Sequence, residues 1–252
     1  MLALITGASS GIGRDMARYL ATKNIDLILV ARDKDSLEKL QNELKVNVKI
    51  YVNDLSIKEN VYELYEKVKD ENIDILINNA GFGLFGEFAK TELNRELEMI
   101  NLNVVAYHIL TKLFLQDFIK KNNGYILNVC SSAGFMAGPR LSTYYATKNY
   151  VLKLTMAIYE ELKQSNSNVK ISALCPGPVN TNFNRVAHGS FTIKGASSEY
   201  VAKYAIDKMF KNKLLIVPKF SIKLAIFLTR LVPTKLILPI VYHIQYRKER
   251  NY

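Results

Sequence analysis

The stretch LALITGASSGIG, residues 2–13, decides the fold of this chain. Residues 2–6 form a short, largely apolar run, typical of a strand that is buried on both faces of a parallel sheet. Gly7, Gly11 and Gly13 follow, and a helical pattern, RDMARYLATK, begins at residue 14. Glycines at this point let the backbone turn sharply and leave the helix N-terminus open. Its backbone N–H groups and the helix dipole can then hold a diphosphate.

The alternation of strand and helix continues along the chain. Short apolar runs recur at residues 26–31, 48–52, 73–78, 124–129, 169–175 and 214–218, with helical patterns such as DSLEKLQNEL (35–44) between them. This order predicts an α/β fold with a doubly wound, Rossmann-type parallel sheet of about seven strands. We expect a single dinucleotide-binding and catalytic domain over residues 1–218, followed by a helical extension over residues 219–252. Ligands of such sheets bind at the carboxyl ends of the strands.

Composition limits the classes of protein that remain. The chain has 252 residues, of which 49% are hydrophobic and 23% charged, so a large core is expected. No apolar run reaches 18 residues, and the N-terminus lacks the basic flank of a signal peptide. Cys130 and Cys175 form no CxxC motif and the three histidines are scattered, so we expect no metal site. Two buried free thiols would suit the reducing cytoplasm.

Three motifs carry a family resemblance. TGASSGIG (6–13), with GxxxGxG spacing, resembles the cofactor loop of the short-chain dehydrogenase/reductase family, and so do NNAG (78–81) and PGPVNT (176–181). The resemblance runs from residue 2 to about residue 185 and is strongest to a bacterial branch of broad or unknown substrate. It implies an oxidoreductase that interconverts a carbonyl and a secondary alcohol with a nicotinamide cofactor. The implied cofactor-binding residues are Gly7, Ser9, Ser10, Gly11, Ile12, Gly13, Arg32, Asp54, Leu55, Asn79, Ala80, Gly81, Tyr144, Lys148, Pro176, Gly177, Val179 and Thr181.

The end of the second strand, LVARD, bears on the choice of dinucleotide. An NAD enzyme needs an acid there for the ribose 2′-hydroxyl, whereas an NADP enzyme needs a cation for the 2′-phosphate. Ala31 stands where the acid would be and Arg32 follows, which favours NADP(H) over NAD(H). Asp33 is close enough to compete, or it caps the helix that begins near residue 35. Asp54 resembles the family residue that reads the adenine edge, and a helix cap is again the alternative.

The segment TYYATK (143–148) contains the candidate for proton transfer. A phenol and an ammonium four residues apart lie on one face of a helix. In the family that the motifs resemble, Tyr-x-x-x-Lys is joined by a serine thirteen residues upstream, which selects Tyr144, Lys148 and Ser131. Tyr145 points about 100° away around the helix, and we expect it to pack or to line the pocket. The spacing to Gly124 selects Asn103 as the family's fourth residue, which orders a water, with Asn101 as the fallback.

The chemistry explains these residue types. A ketone that accepts hydride needs a proton on its oxygen, and a tyrosine has an ordinary pKa of about 10. We expect the Lys148 ammonium to lower the pKa of Tyr144. Ser131 would polarise the carbonyl oxygen, and by resemblance Lys148 also binds the nicotinamide ribose. An apolar substrate pocket is suggested by Phe82, Phe135, Met136, Leu141, Phe183, Val186 and Phe191.

Other functions on the same fold remain open. A catalytically silent dinucleotide-binding regulator or scaffold is one alternative, although such a protein has no need of Tyr144. An epimerase or dehydratase is less well supported because of the GxxxGxG spacing and the modest length. We expect a small-molecule carbonyl or alcohol substrate, and a homodimer or homotetramer built through helices at about residues 96–121 and 142–163, as the resemblance implies.

The C-terminal extension is basic and apolar. Residues 203–252 hold eleven Lys and Arg against two acids, a net charge of +9, whereas the preceding 202 residues have a net charge of +2. On a helix over 219–231, Lys219, Lys223 and Arg230 fall within about 40° of one another. Pro233 can open a second helix, which Pro239 should kink. The extension is therefore either a helix pair on the inner face of a membrane, or a lid or subunit interface. Nucleic-acid binding is not expected.

Overall fold

The computed structural model describes residues 1–183, 187 and 195–250, with the side chains of 248–250 excepted. Seven parallel strands form one sheet in the order β3-β2-β1-β4-β5-β6-β9. They are β1 (Leu2–Thr6), β2 (Asp26–Ala31), β3 (Val48–Val52), β4 (Ile75–Asn78), β5 (Tyr125–Val129), β6 (Lys170–Leu174) and β9 (Leu215–Ile216). A separate two-stranded ladder pairs β7 (Val179–Asn180) with β8 (Ala196–Ser197). The predicted doubly wound sheet is confirmed.

Helices connect and follow the strands. They are α1 (Gly11–Ala21), α2 (Lys34–Glu43), α3 (Lys58–Val68), α4 (Leu93–Ile100), α5 (Tyr107–Lys120), α6 (Ser142–Gln164), α7 (Ser198–Phe210), α8 (Phe220–Thr229) and α9 (Thr234–Arg250). A 3₁₀ turn covers Ser132–Phe135, and a π-helical segment, Asn101–Ala106, joins α4 to α5. Among the described residues, no helix is long and apolar enough to cross a membrane.

Strand side chains alternate between two cores. Ile5 and Leu29 pack with α1, α2 and α7 on one face of the sheet, whereas Leu4 and Ile28 pack with α3, α5 and α6 on the other. All four side chains are fully buried. Burial of each such side chain contributes about 1.5–3 kcal/mol to the stability of the fold. Because both faces of the central strands are buried, these strands are apolar at successive positions rather than at alternate ones.

The order of the strands fixes where a ligand can bind. The chain moves outward from β1 through β2 to β3 and then returns to the other side of β1 at β4. The loops after β1 and β4 therefore diverge at the carboxyl edge of the sheet and leave a crevice. Beneath it, the buried Asn78 amide donates to Thr111 and to Asn128 of β5, and Asn128 donates to Thr155 of α6. These bonds fasten the floor of the crevice to both neighbouring helices.

One local detail differs from the prediction, and another decides between two alternatives. The single helix that we expected over residues 96–121 is divided by the π-helical segment, which turns Asn103 into the core and leaves Asn101 exposed. The helix-capping alternative for Asp33 is confirmed, because its carboxylate accepts a hydrogen bond from the Ser36 N–H of α2 at 3.0 Å.

Candidate active site

The glycine loop and the loop after β4 pack closely together. Gly7 and Gly11 have φ angles of 65° and 53°, a region that suits glycine. A Cβ on Gly7 would lie 2.8 Å from the Ala80 Cα, so only glycine lets the two loops approach this closely. Ser10 precedes α1 without a side-chain capping bond, and α1 carries no acid in its first turn. The first amides of α1 are thus available to an anion.

A cavity of about 420 Å³ opens beside this loop at the carboxyl ends of the strands. All but one of the predicted cofactor-binding residues line it: Gly7, Ser9, Ser10, Gly11, Ile12, Arg32, Asp54, Leu55, Asn79, Ala80, Gly81, Tyr144, Lys148, Pro176, Gly177, Val179 and Thr181. Gly13 is the exception. A Cβ there would lie 2.4 Å from Asn79 Nδ2 and 2.5 Å from Gly7 O, so Gly13 packs α1 against the loops instead of lining the cavity.

Arg32 lies among acids at the end of the cavity beside β2. Its Nη1 is 3.4 Å from Asp54 Oδ2 and 3.5 Å from Glu98 Oε1, and its side chain is 56% exposed. Asp54 also accepts hydrogen bonds from the Ser56 N–H and hydroxyl. Burial raises the pKa of Asp54, but those bonds and the guanidinium outweigh it and hold the pKa below its ordinary value. Asp54 is thus an ionised acceptor within a local network, and it does not cap α3, which begins after Ile57.

Ser131, Tyr144 and Lys148 meet at the opposite end of the cavity. Ser131 follows β5, where its Oγ accepts from the Ala133 N–H at 3.1 Å and its hydroxyl lies beside the Tyr144 phenol. Lys148 lies one helical turn after Tyr144 on α6 and is 4% exposed. Its Nζ donates to the Val129 carbonyl at 2.9 Å and lies 5.8 Å from the centre of the Tyr144 ring. A phenol, a hydroxyl and an ammonium are therefore assembled on one wall.

The effect of Lys148 on Tyr144 differs from the prediction. Burial raises the pKa of the Tyr144 phenol above its ordinary value, and the neighbouring Ser131 hydroxyl opposes this only in part. Burial also lowers the pKa of Lys148 from 10.5 to about 8. Desolvation disfavours the charged form of both groups, so the isolated protein keeps Tyr144 as a neutral proton donor at neutral pH.

Asn103 lies behind the cavity wall and does not line it. Its Nδ2 donates to the Phe82 carbonyl at 2.9 Å and to the Thr147 hydroxyl at 3.1 Å, while its Oδ1 accepts from the Phe82 N–H. The amide thereby joins the loop after β4 to the turn of α6 that contains Lys148. In these contacts Asn103 positions the wall of the cavity.

The C-terminal extension supplies a cavity residue that we did not predict. Gln245 of α9 is 3% exposed, and its Nε2 donates to the Tyr145 hydroxyl at 2.6 Å. Its Oε1 is buried with no hydrogen-bond partner among the residues that the structure describes. Both Gln245 and Tyr145 line the cavity. An amide at the end of the largely apolar stretch LILPIVYHIQ was the one available signal for this role.

The apolar residues suggested for the pocket divide into three groups. Phe82, Leu141 and Phe183 line the cavity, and the Phe183 ring lies 5.2 Å from that of Tyr144. Phe135 and Met136 do not line it. Val186 and Phe191 lie outside the described residues. The part of the wall that the structure describes beside Tyr144 is therefore largely aromatic and aliphatic.

Comparisons with known proteins agree with this geometry. A family model described as short chain dehydrogenase matches residues 1–189, three quarters of the chain. The chain belongs to the short-chain dehydrogenase family. An uncharacterized oxidoreductase of Staphylococcus saprophyticus is 31% identical over 186 residues, which are 71% of this dehydrogenase and 79% of the relative. As a member of this family, the present chain is an oxidoreductase of alcohols and carbonyls that uses a nicotinamide dinucleotide.

Two solved structures show the same architecture as this dehydrogenase. A short-chain dehydrogenase from Sphingobium yanoikuyae in complex with NADPH superimposes with a TM-score of 0.81 at 30% identity, covering 87% of this chain and 88% of that one. The bulky-bulky ketone specific alcohol dehydrogenase from Comamonas testosteroni superimposes with a TM-score of 0.77 at 29% identity, covering 87% and 86%.

The residues present fit a dinucleotide. The glycine loop supplies open amides for a diphosphate, and a Cβ at Gly11 would lie 3.0 Å from Thr181 Cγ2 on the facing loop. A Cβ at Gly81 would come within 2.7 Å of Asn103 Oδ1 and 3.5 Å of Lys148 Nζ. Side chains at these positions would fill the cradle. Among the described residues, no three metal-ligating side chains gather.

Proposed function

We propose that this dehydrogenase is an NADP(H)-dependent carbonyl reductase and alcohol dehydrogenase of apolar or lipid-like substrates, with Tyr144 as the acid and base. The observation that carries the proposal is the group of Ser131, Tyr144 and Lys148 on one wall of the cavity, facing the glycine-loop cradle. A protein that only bound the dinucleotide would gain nothing from a buried phenol and ammonium at this point.

Proton transfer follows from the contacts of Tyr144. When bound, the nicotinamide supplies or accepts the hydride. The hydroxyls of Ser131 and Tyr144 hold the substrate oxygen between them, and Tyr144 donates its proton as that oxygen gains negative charge. Its raised pKa keeps the proton in place until then. Positioned proton transfer of this kind contributes roughly 10²–10⁴ in rate.

Lys148 and Asn103 assist from behind. With a pKa of about 8, Lys148 is largely protonated at neutral pH, so its ammonium stabilises the phenolate that Tyr144 becomes. Its bond to the Val129 carbonyl fixes Nζ within the site, and the nicotinamide ribose would be its second partner. Asn103 keeps Phe82 and Thr147 in register and would orient the water of the proton path.

Arg32 supports a preference for NADP(H). It borders the cavity at the end of β2, where Ala31 leaves room for a 2′-phosphate. A phosphate there would replace Asp54 and Glu98 as the partner of the guanidinium with a bidentate contact. The solved relative from Sphingobium yanoikuyae is itself a complex with NADPH. NAD(H) is the less favoured cofactor.

The cavity wall supports an apolar substrate with one remote polar group. Phe82, Leu141 and Phe183 provide apolar contact beside Tyr144. The free Oε1 of Gln245 is an acceptor without a donor, and a substrate hydroxyl or N–H would satisfy it. The similar alcohol dehydrogenase from Comamonas testosteroni is specific for bulky-bulky ketones, which agrees with a wide pocket of this kind.

The test is turnover with NADPH across a panel of apolar ketones, each paired with an analogue that carries a remote hydroxyl. We expect reduction of the ketones and a higher kcat/KM for the hydroxylated member of at least one pair. NADPH binding without any turnover would instead favour a dinucleotide-binding regulator. Turnover without discrimination within the pairs would leave the reductase standing and contradict the role of Gln245.

Assembly and compartment complete the proposal. A shallow groove between α4 and α6 is lined by Phe88, Ile100, Val104 and Ala146, and Leu97 and Tyr150 are exposed nearby in sequence. This surface supports a homodimer, or a dimer of dimers, that pairs these helices about a two-fold axis. Sedimentation as a monomer alone at micromolar concentration would contradict the assembly.

Cys130 and Cys175 are free and buried, which supports a reducing, cytoplasmic location.

A further inference from the structure

The outer surface of α8 carries an apolar stripe. Phe220, Phe227 and Leu231 are 78%, 56% and 66% exposed, and Leu224 and Leu228 are about half exposed. At 100° per residue these five side chains fall within about 100° of one another. The buried Ile226 lies on the opposite side of the helix. The stripe therefore points away from the body of the protein, where burial within one chain cannot account for it.

Helix α9 repeats the arrangement. Leu236, Ile240 and Ile244 are 63%, 60% and 46% exposed and follow one another at four-residue spacing. Val241 and Gln245, at 7% and 3% exposure, occupy the side turned toward the body. We call the two sets of exposed side chains on α8 and α9 the outer stripe. Ten of the twenty exposed large hydrophobic residues of the described chain lie between residues 220 and 244.

The inner faces of the same helices are seated on the catalytic body. Ile222 lies over Gly177, where an added Cβ would come within 2.7 Å of the Ile222 Cδ1. Gln245 bonds Tyr145, and the Arg140 guanidinium lies 5.0 Å from the Tyr246 ring. The extension is thus fixed in place by its inner face, as the lid prediction requires, while its outer stripe stays accessible. The lid and the membrane helix pair do not exclude each other.

Positive charge flanks the outer stripe. On the helical wheel of α8, Lys223 and Arg230 lie about 40–60° from the nearest edge of the stripe, and Lys219 directly precedes the helix. Lys235 stands exposed at the start of α9. No Asp or Glu occurs between residues 208 and 248, and residues 203–252 hold eleven basic against two acidic residues. The stripe is therefore flanked on one side by cations, with no acid in the sequence between them, and the Arg230 guanidinium also lies 5.8 Å from the Phe135 ring.

We propose that the outer stripe of α8 and α9 docks on an anionic lipid surface. Exposed Phe and Leu would enter the boundary between headgroups and acyl chains while the flanking cations meet the lipid phosphates. A second copy of this chain is the poorer partner, because a two-fold contact through this face would bring two rows of cations together. No helix among the described residues is both long and apolar enough to span a bilayer, so the proposed contact is peripheral.

The experiment is co-sedimentation of the full chain with vesicles at low and high salt. One set of vesicles contains phosphatidylcholine alone, and the other contains phosphatidylcholine with phosphatidylglycerol. A stripe variant carries Phe220→Ser, Phe227→Ser and Leu231→Ser, and a charge variant carries Lys223→Gln and Lys235→Gln. The matched control carries Ile57→Ser and Tyr62→Ser. The Ile57 and Tyr62 side chains are 49% and 44% exposed, and they lie at the start of α3, outside the C-terminal extension. Thermal melts establish that each variant is folded.

We expect salt-sensitive binding to the anionic vesicles, which is lost in the stripe variant and retained in the control. The charge variant should bind roughly 30-fold more weakly, about fivefold for each cation removed. Full-length protein that stays in the supernatant with anionic vesicles at low salt overturns the proposal. So does a stripe variant that binds unchanged, or one that loses self-association instead. None of these results depends on turnover, so they stand apart from the reductase assay.

Discussion

Adjacent tyrosines on α6 should respond in opposite ways to the same substitution. Tyr144→Phe removes the hydroxyl that lies beside Ser131, whereas Tyr145→Phe removes the hydroxyl that receives the Gln245 amide at 2.6 Å. We expect the first change to abolish nearly all turnover with little effect on stability. The second should destabilise the fold and weaken substrate binding while most of the turnover remains.

The magnitudes follow from what each hydroxyl contacts. Loss of a positioned acid should lower kcat by roughly 10²–10⁴, which is a barrier increase of about 3–5 kcal/mol. Loss of the Tyr145 hydroxyl leaves the whole Gln245 amide unpartnered, because its Oε1 already lacks a partner and the side chain is 3% exposed. A buried unsatisfied group costs about 1–3 kcal/mol, and each kcal/mol lowers the Tm of a chain of this size by roughly 2–4 °C.

The assay compares three Tyr→Phe variants of the same helix. Tyr150→Phe is the matched control, since Tyr150 is 42% exposed and, within the described part of the chain, its hydroxyl is hydrogen-bonded to His108 alone. For each variant, kcat and KM are measured with NADPH and a ketone that the wild type reduces. NADPH affinity is measured by fluorescence titration and Tm by circular dichroism. The control should change unfolding free energy by less than ~0.5 kcal/mol.

A reversed pattern would refute the assignment. If Tyr145→Phe abolished turnover while Tyr144→Phe kept it, the reacting phenol would be Tyr145, and Ser132 would replace Ser131 as its partner. Equal loss of Tm in both variants would show that the two hydroxyls serve the fold alike, contrary to the contacts described above.

Three further substitutions test the cofactor end and the buried lysine. Arg32→Ala should weaken NADPH binding by about 10–100-fold and leave NADH binding nearly unchanged. Lys34→Ala is the neighbouring control. Equal effects of Arg32→Ala on both cofactors, or an equal loss of NADPH binding in the control, would contradict a 2′-phosphate contact. Burial lowers the pKa of Lys148 from 10.5 to about 8, so the folded state loses this proton before the unfolded state does. The unfolding free energy of the wild type, measured with urea, should therefore rise between pH 8 and 10.5 relative to that of Lys148→Met, by up to ~3 kcal/mol. Parallel plots of unfolding free energy against pH for the two proteins would contradict the lowered pKa. Gly13→Ala would bring a Cβ to 2.4 Å from Asn79 Nδ2 and should cost about 1–3 kcal/mol, and a variant with unchanged Tm and NADPH affinity would show that the loops can move apart.

Local pattern was enough to predict the central strands, because strands buried on both faces are apolar at nearly every position. The run at 26–31 matches β2 residue for residue, and the run at 48–52 matches the partly exposed edge strand β3. The run at 214–218 forms only the two-residue strand β9, which pairs with β6 at two positions. The π-helical segment was not predicted because NLNVVA contains no residue that interrupts a helix.

Some residues of the candidate site could be located from the sequence and others could not. Residues next to strand ends, such as Ser131 and Asn79, could be located because the topology brings all strand ends to one edge. Gln245 could not, because its position depends on how the chain returns after Pro233. The rise in the pKa of Tyr144 was also missed, since spacing gives the distance to Lys148 but not the depth at which both groups are buried.

The wall formed by Gln245 has a consequence for biosynthesis. Domains fold as they leave the ribosome, with the N-terminal part first. Residues 1–218 contain the whole sheet, and the segment that closes the cavity beside Tyr145 is synthesised only after it. The nascent protein can thus assemble its dinucleotide cradle while the substrate end still stands open.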